Sequence, residues 1–263
     1  MKTAMLAGVL AGLLVPAAAF AQNPIDGTWK IDMGKVHLPT KPDVLVLKDG
    51  MFQCKTCVPP ISVKADGTDQ PVSGHPYFDS IAVEVVDKHT VKETDKKNGK
   101  VVATDTTTVA PDGKSATFEF SDSSASQGAP VTGKGSMTRV AAGPAGSHAL
   151  SGSWRTRHIN SMSDNALTMS FRQDGDMLSM NTPTGQSYTA KLDGTDAPFK
   201  GDPGVNGVSV RKSGTHRYVE TDKRDGKVVS IATMTLHPDG KAMDVAVDNK
   251  LRGTTMSFVA MKQ

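Results

Sequence analysis

KADGTDQPVSG (residues 64–74) returns as KLDGTDAPFKG (residues 191–201), 127 positions further along the chain. The match is not confined to that stretch. Residues 64–120 lie over residues 191–247 without a gap, and Glu93-Thr94-Asp95-Lys96 meets Glu220-Thr221-Asp222-Lys223. Gly99-Lys100-Val101-Val102 likewise meets Gly226-Lys227-Val228-Val229, and Pro111-Asp112-Gly113-Lys114 meets Pro238-Asp239-Gly240-Lys241. Upstream the offset falls to 125, where Gly27-Thr28-Trp29-Lys30 meets Gly152-Ser153-Trp154-Arg155. A drift of two residues between distant anchors is what a change in loop length produces. The chain is an internal duplication, with repeats over residues 25–140 and 146–263 and a linker at residues 141–145, inside the Gly-, Pro- and Ala-rich run VAAGPAGSHAL.

Each repeat is punctuated by Asp-Gly or Asn-Gly: 49–50, 66–67, 98–99 and 112–113 in the first, 174–175, 193–194, 225–226 and 239–240 in the second. These dipeptides accept the positive φ of tight hairpin turns. Between them, apolar residues alternate. Val101, Ala103, Thr107 and Val109 share a parity with Asp105 as the odd member, matching Val228, Ser230, Ala232, Met234 and Leu236. Ala116, Phe118 and Phe120 match Met243, Val245 and Val247. Period-two patterning marks sheets with one buried and one wet face. The predicted fold is therefore all-β: two tandem antiparallel meanders of about eight strands, each curled into a small barrel. A pair of β-sandwiches is the alternative that the same pattern permits.

The first 21 residues are expected to be a signal peptide. Lys2 supplies the positive start, an apolar run follows, and Ala19-Phe20-Ala21 fits signal peptidase. The run is too short for a spanning helix, which needs roughly 20 residues. The remaining chain is expected to be soluble, in the periplasm or secreted. A formal net charge of +3 gives no basic patch of the kind that nucleic acid or a strongly anionic membrane requires. Aromatic residues are 5% of the chain, and the abundance of Thr, Ser, Val, Gly and Asp favours short strands and turns.

Gly27-x-Trp29 and Gly152-x-Trp154 open the first strand of each meander. This placement resembles the lipocalin-like (calycin) barrels, in which a Gly-x-Trp begins strand one and the indole plugs the closed end. The tandem arrangement also resembles a group of exported bacterial proteins with lipocalin-like repeats, to which no activity is assigned. The resemblance implies a basic residue from the last strand lying across each indole. Arg139 and Lys262 occupy that position, so Trp29 is expected beside Arg139 and Trp154 beside Lys262. The chain lacks the later signature segments of classical lipocalins, their helix and their linking disulfides.

Cys54 and Cys57 are the two cysteines of the chain. A redox-active pair needs its first Cys at a helix N-terminus, whereas β-like residues precede this one and Pro59-Pro60 follow the pair. Structural zinc needs four ligands, and haem attachment would need His where Val58 stands. A local disulfide is expected. Residues four apart on a strand share a face, so His89 with Glu93, and His216 with Glu220, would suit a general acid–base pair. The favoured reading is plainer: His in the turn before the strand, Glu paired with a cross-strand Lys. Asp66/Asp69 and Asp193/Asp196 lack the ligand count of a calcium loop and read as turn formers. GHPYFD (residues 74–79) clusters His75, Tyr77 and Phe78 where the second repeat has GDPGVN, marking either a ligand or partner rim or a contact between domains. No catalytic residue, metal site or cofactor motif is expected, and an enzyme is the least supported class. The expectation is a binding protein for a small apolar or amphipathic molecule. The alternative is a cavity-free module that binds another envelope protein.

Overall fold

The computed structural model describes residues 23–263; the expected signal peptide lies outside them. Among the described residues are twenty strands, two single turns of 3-10 helix and no α-helix. The first repeat carries β1 (Gly27–Ile31), β2 (Asp43–Lys48), β3 (Met51–Cys54), β4 (Ile61–Lys64), β5 (Gln70–Pro71), β6 (Ser80–Val85), β7 (Thr90–Lys97), β8 (Lys100–Val109), β9 (Ser115–Asp122) and β10 (Val131–Ala142). The second carries β11 (Gly152–Met162), β12 (Thr168–Asp174), β13 (Met177–Asn181), β14 (Ser187–Lys191), β15 (Asp193–Asp202), β16 (Val205–Ser213), β17 (Arg217–Arg224), β18 (Lys227–Leu236), β19 (Ala242–Asn249) and β20 (Thr254–Lys262). Ten strands per repeat replace the expected eight. The two copies of the opening stretch differ: DGTD is a turn in the first repeat, but its counterpart begins the long strand β15.

The strands form two antiparallel sheets, and these are not the two repeats. One is a closed barrel in the order β1-β12-β13-β14-β15-β16-β17-β18-β19-β20, with β20 returning to β1. The other runs β4-β3-β2-β11-β10-β9-β8-β7-β6-β5 and is barrel-like, open between β4 and β5. Across that gap, the Gly67 amide still donates to the Val83 carbonyl of β6 at 2.9 Å. The first strand of each repeat has thus been exchanged: β1 closes the second repeat's barrel, and β11 sits between β10 and β2. The physical reason is the β10–β11 hairpin. Its ladder runs from Gly133↔Met162 to Ala142↔Gly152 between chain neighbours, and joining near neighbours costs little loop entropy. β1 is five residues long and pairs with β20 over Trp29 to Ile31 alone.

Two cores follow this division. One gathers Ile25 and Trp29 with Leu178, Tyr188, Val210, Met243 and Ala260. The other gathers Leu150 and Trp154 with Phe52, Val83, Val91 and Val109. The alternation holds on β8 and β18 from Ala103 and Ser230 onward, but Val101 and Val228 are exposed. A bulge between Asp95 and Lys96, repeated between Asp222 and Lys223, shifts the register there and turns those valines outward.

Candidate functional site

The closed end of each barrel is built around its indole. Trp29 Nε1 donates to the Ile25 carbonyl at 2.8 Å, and Trp154 Nε1 donates to the Leu150 carbonyl at 2.7 Å. The cations are the reverse of the expected partners. Lys262 Nζ stands 5.3 Å from the centroid of Trp29, and the Arg139 guanidinium 4.1 Å from that of Trp154. The correction follows from the strand exchange, which carries each Gly-x-Trp into the other repeat's sheet. Arg139 also donates to the carbonyls of Gly113, Ala149 and Ser151. Gly152 has φ +147°, and a Cβ there would lie 2.5 Å from the Arg139 guanidinium. The glycine of the motif is needed for the close approach of that cation.

Above the plug, the closed barrel holds a cavity of about 380 Å³. Phe171, Met180, Met234, Val245 and Phe258 line its wall, and Thr182, Thr184 and Gln186 its rim. The loop between β9 and β10 reaches across from the other sheet to cover that rim. Its Gln127 amide donates to the Thr184 carbonyl at 2.9 Å, and the Gln186 side-chain amide donates to the Ala125 carbonyl. Asn165 Nδ2 donates to the Ala129 carbonyl at 3.0 Å.

Two carboxyl residues line the cavity: Asp122, from the β9 side, and Glu220, set in the apolar wall. Glu220 accepts from the Tyr188 hydroxyl at 2.5 Å, and its neighbours across the sheet are Val210 and Ala232, not lysine. Burial raises its pKa, and the nearby Asp222 adds to the rise. Asp222 is also raised by burial; Ser230 donates to its Oδ2 at 2.6 Å, and its Oδ1 has no donor other than a protonated Glu220. Tyr188, itself buried, is held well above the ordinary phenol value by burial and by Glu220.

The open sheet repeats the arrangement in a cavity of about 260 Å³, lined by Glu93 and Asp105 with Phe52, Phe118 and Met137. Glu93 faces Asp105 and Val83 across the sheet, which corrects the expected pairing with lysine. Burial, then Asp105 and Asp95, push Glu93 up to about 8. Asp95 is raised to about 7 by burial, then by Asp122 and Asp105. Asp122 also borders the closed barrel's cavity, so the two acidic interiors approach one another at the junction of the sheets.

The remaining candidates have structural places. Cys54 and Cys57 form a disulfide, with Cα atoms 5.4 Å apart. His89 lies in the turn before β7, its amide donating to Asp87 Oδ1 at 2.7 Å. Asp66 Oδ1 accepts from the Thr68 amide at 3.0 Å, and Asp193 Oδ1 from the Thr195 amide at 2.8 Å, as turn formers do. Asp69 pairs with Lys96 at 2.6 Å and Asp196 with Lys223, which is why DGTD and ETDK recur together. Tyr77 crosses to the second repeat and donates to Asp202 Oδ1 at 2.9 Å. His75 stacks on Phe78, ring centroids 4.8 Å apart, and Phe78 packs on the core of the open sheet. None of these three lines the two acidic cavities.

The fold and its cavities define an all-β protein of two barrel-like sheets, each with a tryptophan plug and an acidic interior. No protein-family model matches the chain, and no curated protein matches it.

Proposed function

We propose that this chain is an exported, non-enzymatic binding protein that holds a small apolar or amphipathic molecule inside the closed barrel. The observation that carries this reading is the 380 Å³ cavity with its wall of Phe, Met and Val side chains. Concave, mostly apolar sites with a few convergent polar groups are where small molecules bind. The lipocalin-like relationship supports it, because a Gly-x-Trp under a basic residue of the last strand recurs at both closed ends. Localisation in the periplasm or outside the cell follows from the expected signal peptide and agrees with a disulfide. The alternative, a module that binds an envelope protein through GHPYFD, is less well supported because Tyr77 is already engaged by Asp202.

Native mass spectrometry of protein recovered from its own envelope fraction is expected to show a small-molecule mass on the chain. Ala232→Phe fills the cavity from β18 and should abolish that mass while leaving the β-type circular dichroism in place. Native protein that carries no such mass, and takes up no apolar probe such as N-phenylnaphthylamine, overturns the reading.

A further inference from the structure

We propose that the molecule held in the closed barrel is an amphipathic cation, an apolar body bearing a protonated amine that pairs with the Glu220 carboxylate. This rests on the barrel being a binding cavity, and it names the chemistry of what the cavity takes. Glu220 is a carboxyl set in a wall of Phe171, Met234, Val245 and Phe258. An ionised group in such a wall is strongly disfavoured unless it is neutralised or paired. The cavity lining supplies no countercharge: no Lys, Arg or His lines it, and Asp122 is a second carboxyl on its border.

The groups around Glu220 point the same way. From β14 comes the neutral Tyr188 hydroxyl, and from its own strand Asp222, whose Oδ1 has no donor other than a protonated Glu220. From β18, Ser230 donates to Asp222, and the Asp202 charge acts on Asp222 as well. Arg224 acts on Tyr77 at the junction of the sheets. The open sheet places Glu93 in the same relation to its own cavity, with further carboxylates beside it and no hydrogen bond from any described residue. A carboxylate ligand would therefore add like charge to like charge. An alcohol would gain a hydrogen bond and leave the negative field uncompensated. An ammonium group satisfies both the field and the lone pairs, and its apolar body takes the wall.

The test is calorimetric titration of the intact protein with decylamine, decanol and decanoate, each below its micelle concentration, at pH 6, 7 and 8. Decylamine is expected to bind at least tenfold tighter than the other two at pH 8. Its affinity should rise from pH 6 to 8, because Glu220, held above the usual carboxylate range, must give up a proton to form the pair. Glu220→Gln should remove both the preference and the pH rise while decanol binding and circular dichroism persist. If decanol binds and decylamine is no tighter, the cation is wrong and the binding cavity stands; if Glu220→Gln leaves the amine preference intact, the pairing with Glu220 is wrong and the proposal falls with it. If none of the three binds, the cavity reading falls and takes this proposal with it.

Discussion

Arg139 covers the Trp154 ring and donates to three main-chain carbonyls, whereas Lys262 over Trp29 donates to the carbonyl of Pro24 alone. A planar guanidinium can make those bonds and stack at once; an ammonium cannot. Arg139→Lys should therefore lower stability nearly as far as Arg139→Ala, and Lys262→Ala should cost less than either. Trp29→Ala and Trp154→Ala should each cost ~3–5 kcal/mol, as for other buried large aromatics. Urea denaturation of the five variants checks the ranking; equal losses at Arg139 and Lys262 would count against it. The interior acids give a pH dependence with a fixed sign. A free Glu carboxyl titrates near 4.5, and burial raises Glu93 to about 8 in the fold, so the folded state binds more protons than the unfolded one between those values. Stability is then fully present below about pH 4.5 and is lost as pH rises toward 8. Asp95, raised to about 7, acts in the same direction. The melting temperature is expected to fall from pH 5 to pH 9, and Glu93→Gln should flatten that slope. A melting temperature that rises over the range would contradict the buried, protonated state.

At the scale of elements, the exchange of β1 and β11 sets what can fold alone. The segment 43–163 holds all ten strands of the open sheet, whereas 164–263 lacks β1, which closes its barrel between β12 and β20. Residues 43–163 expressed alone should give a β-type spectrum and a cooperative melt. Residues 164–263 should need a peptide of residues 23–33 to do the same, and a cooperative melt without it would argue against the exchange. The repeats, the turns and the alternating faces were legible in the sequence because each depends on local pattern. Which cation covers which indole was not, because Gly27-Thr28-Trp29 and Gly152-Ser153-Trp154 are near copies and either pairing satisfies the same letters. The interior carboxyls were half legible. Val91, Glu93 and Asp95 share a parity, as do Tyr218, Glu220 and Asp222, a pattern that fits an inward face, although the glutamates were expected to pair with cross-strand lysines. Charge alone argued for the outer face, and the protonated state that burial imposes is what overrules it.

Across the whole molecule, the two sheets are joined by residues 32–42 and 163–167 and by contacts between their surfaces. Lys41 donates to the Arg252 carbonyl at 2.7 Å, and Arg252 pairs with Asp43. That pair is partly exposed and contributes little, of the order of 0–1 kcal/mol. Tyr77 is the larger anchor. It is buried enough that its pKa is raised, first by desolvation and then by Asp202, so the phenol remains a donor at any physiological pH. Asp202 Oδ1 also accepts from the Gly204 amide at 2.7 Å, which fixes the turn that receives the ring. A Cβ on Gly204 would lie 2.2 Å from the Tyr77 oxygen, although Gly204 does not have a positive φ. A side chain at 204 would thus meet the ring and not strain the backbone. Tyr77→Phe should cost ~1 kcal/mol for the lost hydrogen bond, and Tyr77→Ala more, since the ring's packing goes too. Gly204→Val should expel the ring and approach the cost of Tyr77→Ala. Combining Gly204→Val with Tyr77→Ala should then add almost nothing, because contacting residues that remove one interaction are not additive. Differential scanning calorimetry reads both terms: the single variants should broaden or split the transition as the sheets uncouple, and the double variant should match Tyr77→Ala. Full additivity would mean that Tyr77 and Gly204 act separately and that the junction is held elsewhere.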